Sequence, residues 1–197
     1  SEAQQLRAKF RRFDADGSGE ISNKELVNLI EETFPDMAND KELRSKLLVI
    51  MQEADVDGSG SLDFQDFLIL MRQCRELQDR ERVLKETAAI NETGFTAYEV
   101  LEFRDLFLHS VASAGGQITL DELTKMMNMI TPLGDKYKSQ LAEIFHKVTR
   151  RFSRSEGGKD SADFPEFLWL MRTMLDSNFA DIQEKTKGFG AAGAPQH

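Results

Sequence analysis

"DADGSGEISNKE", residues 14–25, places oxygen-bearing side chains at alternate positions of a twelve-residue stretch: Asp14, Asp16 and Ser18, then Ser22 and a closing Glu25. A hard divalent cation such as calcium takes six to eight oxygens at about 2.3–2.6 Å, so a loop that holds one must turn tightly enough for its oxygens to converge. The spacing makes Asp14, Asp16 and Ser18 side-chain ligands, Glu20 a ligand through its backbone carbonyl, and Ser22 the holder of a water. Glu25, with the longer side chain, swings in with both oxygens. Gly19 stands at the sharp bend, where a Cβ would oppose the backbone conformation.

The flanks are helical in period. Leu6, Phe10 and Phe13 precede the loop at spacings of four and three, and Leu26, Leu29, Ile30 and Phe34 follow it before Pro35 ends the run. The unit is then written again. "DVDGSGSLDFQD", residues 55–66, offers Asp55, Asp57, Ser59, the carbonyl of Ser61, Asp63 and Asp66, between the stripes Leu47–Met51–Ala54 and Phe67–Leu70–Met71. Its last ligand is Asp, one methylene shorter than Glu, so the second loop is expected to hold calcium more weakly and to tolerate magnesium better. Ile21 and Leu62, at the eighth place of each loop, are placed to pair as a short two-stranded bridge.

The second half keeps the spacing and loses the acids. Phe103, Phe107 and Ser110 precede "VASAGGQITLDE" (111–122), which retains Gly116, Ile118 and Glu122 but has Val111, Ser113 and Gly115 where ligands would stand. "SADFPEFLWLM" (161–171) echoes "SLDFQDFLILM" (61–71), after a region of eighteen positions, Thr149 to Glu166, in place of twelve. That region carries Arg150, Arg151, Arg154 and Lys159. These bases either take over the role of an ion by pairing with Glu156, Asp160 or Asp163, or dock an acidic or phosphorylated partner, or form a solvated loop. Between the halves, Leu70, Cys74, Leu77 and Leu84 form a thin apolar stripe on a charged helix, and Gly94 with "TAYE" (96–99) marks a stop and a fresh helix start.

Over roughly residues 3–175 the chain resembles the EF-hand family, within it four-hand calmodulin-like and troponin-C-like proteins; the specific motifs are Asp14–Glu25 and Asp55–Asp66. The resemblance implies an all-α fold of two EF-hand pairs, helix-loop-helix lobes with short β bridges between paired loops, joined by a long helical connector. The expected division is a calcium-binding pair at 1–75, a charged connector at 76–95, a degenerate pair at 96–178 and a flexible tail at 179–197. It further implies a non-catalytic calcium sensor with two Ca2+ sites, the second open to Mg2+ at rest, that grips an amphipathic helix of a target protein. Phe10, Met51 and Met71 are the expected contact residues in the first lobe, and Met126, Met127, Trp169 and Met171 in an ion-free second lobe that docks constitutively. The alternatives are a light-chain-like subunit with permanently filled sites, or the regulatory piece of a larger kinase, channel or enzyme, which a chain starting at Ser1 allows.

Composition narrows the classes. A net charge of -9 argues against nucleic acid as a general partner. The single cysteine, Cys74, excludes an internal disulfide and suits a reducing, cytoplasmic setting. "FLILM" (67–71) is too short to span a membrane, and nothing in the sequence demands an oligomer, so a monomer is expected. His109, His146 and His197 have no ligand-spaced partner.

Overall fold

A computed structural model describes residues 2–111, 116–152 and 160–181. Ser113, Gly115, Arg154, Glu156, Lys159 and the stretch 182–197 lie outside the described residues. The chain forms two compact units, Ser1–Val83 and Leu84–His197. The first contains α1 (Glu2–Phe13), β1 (Ile21–Ser22), α2 (Asn23–Thr33), α3 (Pro35–Ala38), α4 (Lys41–Ala54), β2 (Ser61–Leu62) and the opening turns of α5 (Phe64–Thr93). The second takes the rest of α5, then α6 (Ala97–Ser110), β3 (Ile118–Thr119), α7 (Leu120–Ile130), α8 (Asp135–Phe152), β4 (Ser161–Ala162), α9 (Phe164–Asp176) and a single 3-10 turn, Phe179–Asp181.

The helix starts are written locally. Ser22 with Glu25, Thr96 with Glu99, Thr119 with Glu122 and Asp163 with Glu166 each form a reciprocal capping box, and such caps contribute roughly 1 kcal/mol apiece. Pro35 does more than stop α2. It opens α3 at the first helical position, where its missing N–H leaves no bond unmade.

Each loop pair is closed by an antiparallel bridge: Ile21 opposite Leu62 in the first unit, Ile118 opposite Ala162 in the second. Leu62 is 2% exposed, and Ile21, Ile118 and Ala162 are wholly buried. The all-helical architecture with two short bridges is therefore the one the resemblance implies.

The two cores repeat one aromatic arrangement. Phe10 meets Phe67 edge-on at 5.3 Å, Phe64 stacks on Phe67 at 6.1 Å, and the Arg7 guanidinium lies 4.4 Å from the Phe64 ring centre. In the second unit Phe107 meets Phe167 at 5.2 Å, Phe164 stacks on Phe167 at 6.4 Å, and Arg104 covers Phe164 at 4.1 Å. Ring pairs of this kind add to what burial alone contributes.

Helix α5 belongs to both units. Leu70, Cys74 and Leu77 are buried in the first core, Ala89 is buried in the second, and Leu84 between them is exposed. At the other end, Phe179, where the sequence suggests a loose tail, is buried with its ring 5.7 Å from that of Tyr137.

Candidate metal centres

In the first loop, carboxylate oxygens of Asp14, Asp16 and Glu25 lie within 4.8 Å of one another, and in the second those of Asp55, Asp57 and Asp66 do the same. The backbone builds this convergence. The Asp14 carboxylate accepts from the Gly19 N–H at 3.0 Å and Asp16 accepts from the Ser18 N–H at 3.0 Å. The Ser18 hydroxyl donates to the Glu20 carbonyl at 3.0 Å. The second loop repeats the scheme: Asp55 accepts from Gly60, Asp57 from Ser59, and the Ser59 hydroxyl donates to the Ser61 carbonyl, all at 2.9–3.0 Å. Gly19 and Gly60 sit at φ +86° and +81°, where any other residue is strained. The donors of both sets are hard oxygens, anionic and crowded, which fits a hard divalent cation and suits soft metals poorly.

The closing residues differ. Glu25 reaches back across the first loop, Oε1 accepting from the Ala15 N–H at 3.0 Å while Oε2 accepts from the Ser22 N–H and hydroxyl at 2.9 and 2.8 Å. Donation by the Ser22 backbone, the Ser22 hydroxyl and the Ala15 backbone holds its carboxyl below the ordinary range. Asp66 is 9% exposed. Burial first, then the negative charge of Asp63, pushes its carboxyl above the ordinary range, with Asp57 and Asp55 adding to the effect. Asp66 thus takes a proton more readily than a free Asp, and Glu25 less readily than a free Glu. On lowering pH in a saturated sample, the second loop is expected to release its cation first and the first loop at lower pH, read as two separated steps in metal release followed by a calcium electrode.

Two other sequence candidates make further contacts. The Asp63 carboxylate caps α5, accepting from Gln65 and Asp66 at 2.7 and 2.8 Å. The side chain of Glu20 accepts from the Ser61 hydroxyl, tying one loop to the other. Of the expected partner-contact residues, Phe10, Met71, Met126, Met127 and Met171 are buried, and Met51 and Trp169 are half-buried.

The acid-poor loops are also informative. Glu122 is engaged at its helix start, its carboxylate accepting from the Thr119 N–H and hydroxyl at 2.8 and 2.9 Å. In the fourth, Arg154, Glu156 and Lys159 lie outside the described residues, so the suggested pairing is followed only through Arg151. Arg151 pairs with Glu92 at 3.7 Å and covers the Trp169 ring at 4.3 Å, because its position on α8 faces α5 and α9. Among the described residues, the base beside Asp163 and Glu166 is Lys85 of α5, 2.5 and 3.0 Å away. Sequence reading missed Lys85 because it lies 78 residues from Asp163. The offset of one hundred between Asp63/Asp66 and Asp163/Glu166 marks the two carboxylates but not their partner.

A family model for an EF-hand domain pair matches residues 3–72. Calcium-binding protein 5 of Bos taurus is 35% identical over 139 residues, 71% of this chain and 68% of the relative. Two solved structures align over 98% of the chain: a redox protein from Chlamydomonas reinhardtii, at 21% identity and TM-score 0.31, and a homologue of programmed cell death 6 protein from Leishmania major Friedlin, at 15% identity and TM-score 0.32. The chain spans 53% of the Chlamydomonas protein and 83% of the Leishmania one, and TM-scores this low support nothing beyond the likeness itself. Two acidic loops of one design, bridged through Ile21 and Leu62, together with the family-model match and the Bos taurus relative, show that the chain belongs to the EF-hand family of metal-binding proteins.

Proposed function

We propose that the chain is a calcium sensor whose first unit is the switch and whose second unit is a docking body that needs no ion. The observation that carries the reading is the pair of three-carboxylate clusters in the first unit, set against the acid-poor loops of the second. Asp14, Asp16, Ser18, the Glu20 carbonyl and Glu25 hold one Ca2+, and Asp55, Asp57, Ser59, the Ser61 carbonyl and Asp66 the other, with Asp63 acting through water; Mg2+ fills the second at rest. The ion neutralises carboxylates that otherwise repel one another. Glu25 and Asp66 each open a helix, α2 in one case and α5 in the other, so drawing them inward turns those helices and uncovers Phe10, Phe34, Met51 and Met71. A depression lined by Leu26, Leu48, Met51 and Leu62 is where the uncovered surface begins. Its occupant is an amphipathic helix of a target protein.

Cys74 makes this testable without knowing the target. It is wholly buried in the first core, and burial pushes its thiol up to about 12. At pH 8 the thiolate fraction is thus roughly a thousandfold below that of an ordinary cysteine, and alkylation in chelator should be slower by at least that factor. If the first unit opens, saturating calcium should speed alkylation at least tenfold and raise the fluorescence of a hydrophobic dye in parallel. Calcium heats of binding with neither change would make the ions structural and favour a light-chain-like subunit.

A further inference from the structure

Among the described residues, the second unit holds an ion pair that its fold repeat makes unusual. Asp163 and Glu166 follow β4 as Asp63 and Asp66 follow β2, so in the longer fourth hand they correspond to the ninth and twelfth places of a twelve-residue loop. Glu166 is wholly buried, the kind of carboxylate that is retained in an interior only with a compensating charge. Its Oε2 accepts from the Asp163 N–H at 3.0 Å, closing the capping box of α9. Oε1 accepts from the Lys85 ammonium at 3.0 Å, and the same ammonium donates to Asp163 Oδ2 at 2.5 Å. The Phe152 ring centre lies 5.7 Å from it. The base is therefore positioned on the two carboxylates that would otherwise face a divalent ion.

We propose that the Lys85 ammonium is a tethered cation, replacing the metal of the fourth hand and holding Glu166, and with it the start of α9, in the inward position without any ion. The chemistry is a single positive charge on a four-carbon stem, permanently at hand because α5 delivers it covalently. Burial works against the Lys85 charge, yet the carboxylates of Asp163 and Glu166 outweigh it and keep the ammonium protonated above the ordinary lysine range. Arg104 supports the same helix neighbourhood from α6, pairing with Glu86, the next residue of α5. The consequence is a second unit whose geometry is set by a residue of the chain, so that it presents the same surface at every calcium concentration. The inference concerns residues of the second unit alone and stands or falls separately from the sensor reading of the first.

Trp169 is the only tryptophan and lies on α9, so its fluorescence reports this unit within the full chain. Lys85→Met keeps most of the stem and removes the charge. In chelator, denaturant unfolding followed at Trp169 should show the folding equilibrium constant falling by roughly a hundredfold or more, the loss of one partner from a buried pair. Lys85→Arg, which keeps the charge, should lose little. The deciding variant is Lys85→Met with Glu166→Gln, in which the carboxylate that faced Lys85 is replaced by a neutral amide but the capping oxygen remains; most of the lost stability should return. If Lys85→Met is neutral, the ammonium holds nothing and the proposal is overturned. It is equally overturned if Lys85→Met is destabilising and Glu166→Gln restores nothing, since the stem rather than the charge then matters. If Lys85→Met does not fold, recovery of a folded chain in the double variant supports the tethered cation, and failure to recover overturns it.

Discussion

Glu25→Gln in the full chain is expected to reduce the calcium stoichiometry measured by calorimetry from two ions to one over the micromolar range, with affinity at the first loop lowered roughly a hundredfold or more. The substitution preserves shape and hydrogen-bond reach: an amide oxygen can still accept from the Ser22 or Ala15 N–H, as Glu25 does at 2.9 and 3.0 Å. What it removes is half of a bidentate ligand and one negative charge from the cluster with Asp14 and Asp16. The fold of the first unit should therefore survive in chelator, with an unchanged helical signal, while calcium no longer secures the start of α2. Because Glu20 of the first loop and Ser61 of the second are hydrogen-bonded, and Ile21 is paired with Leu62, the second loop should also lose affinity, though by a smaller factor. Glu25→Gln should abolish most of the calcium-induced gain in Cys74 alkylation, since that gain needs α2 to move. Undiminished two-ion binding in this variant would take the closing ligand of the first loop away from Glu25.

The first unit was legible because its chemistry is local. Asp14 to Glu25 lie within one short loop of chain, their spacing fixes what they can touch, and the flanking Phe10, Leu26 and Leu29 carry the helical period that the core then uses. The bridge between Ile21 and Leu62 was legible for a related reason: the eighth place of each loop is apolar in an otherwise polar stretch. The second unit was half legible. Its hydrophobic spacing gave the helices and the repeat from Phe67 to Phe167, but the electrostatics of its fourth hand depend on a helix far away in sequence. A run of bases near Arg150 stands out by composition, whereas Lys85, one base among many on a charged helix, carries no local signal. Side-chain pairing across tens of residues is decided by packing, and neither period nor composition encodes it. Helix α3 was hidden by the same limit in miniature: Pro35 reads as a terminator, and only the turn that follows shows it to be a start.

Phe67→Ala is expected to cost the first unit about 3–5 kcal/mol, the range for removing a buried aromatic ring. Phe67 is wholly buried and meets both Phe10 and Phe64, so the cavity opens at the junction of α1 and α5 and cannot be filled by a small shift of one helix. Domains of this size hold only about 5–15 kcal/mol in total, so in chelator the first unit should be largely or partly unfolded, seen as lost helical signal in circular dichroism. Calcium should reverse this. Each site held at about a hundred times its dissociation constant adds about 2.7 kcal/mol to the folded state, so two filled sites offset the whole cost of the cavity. Trp169 belongs to the other core, which shares no buried residue with the first. Its unfolding midpoint should stay near the wild-type value in Phe67→Ala and fall in Phe167→Ala, the matching substitution in the second unit, where calcium should restore nothing. If Phe67→Ala lowers the Trp169 midpoint as far as it lowers the helical one, α5 transmits unfolding from one core to the other and the two units melt as one. If calcium rescues Phe167→Ala as well as Phe67→Ala, the second unit has an ion site after all, and its stability is not held by its own side chains.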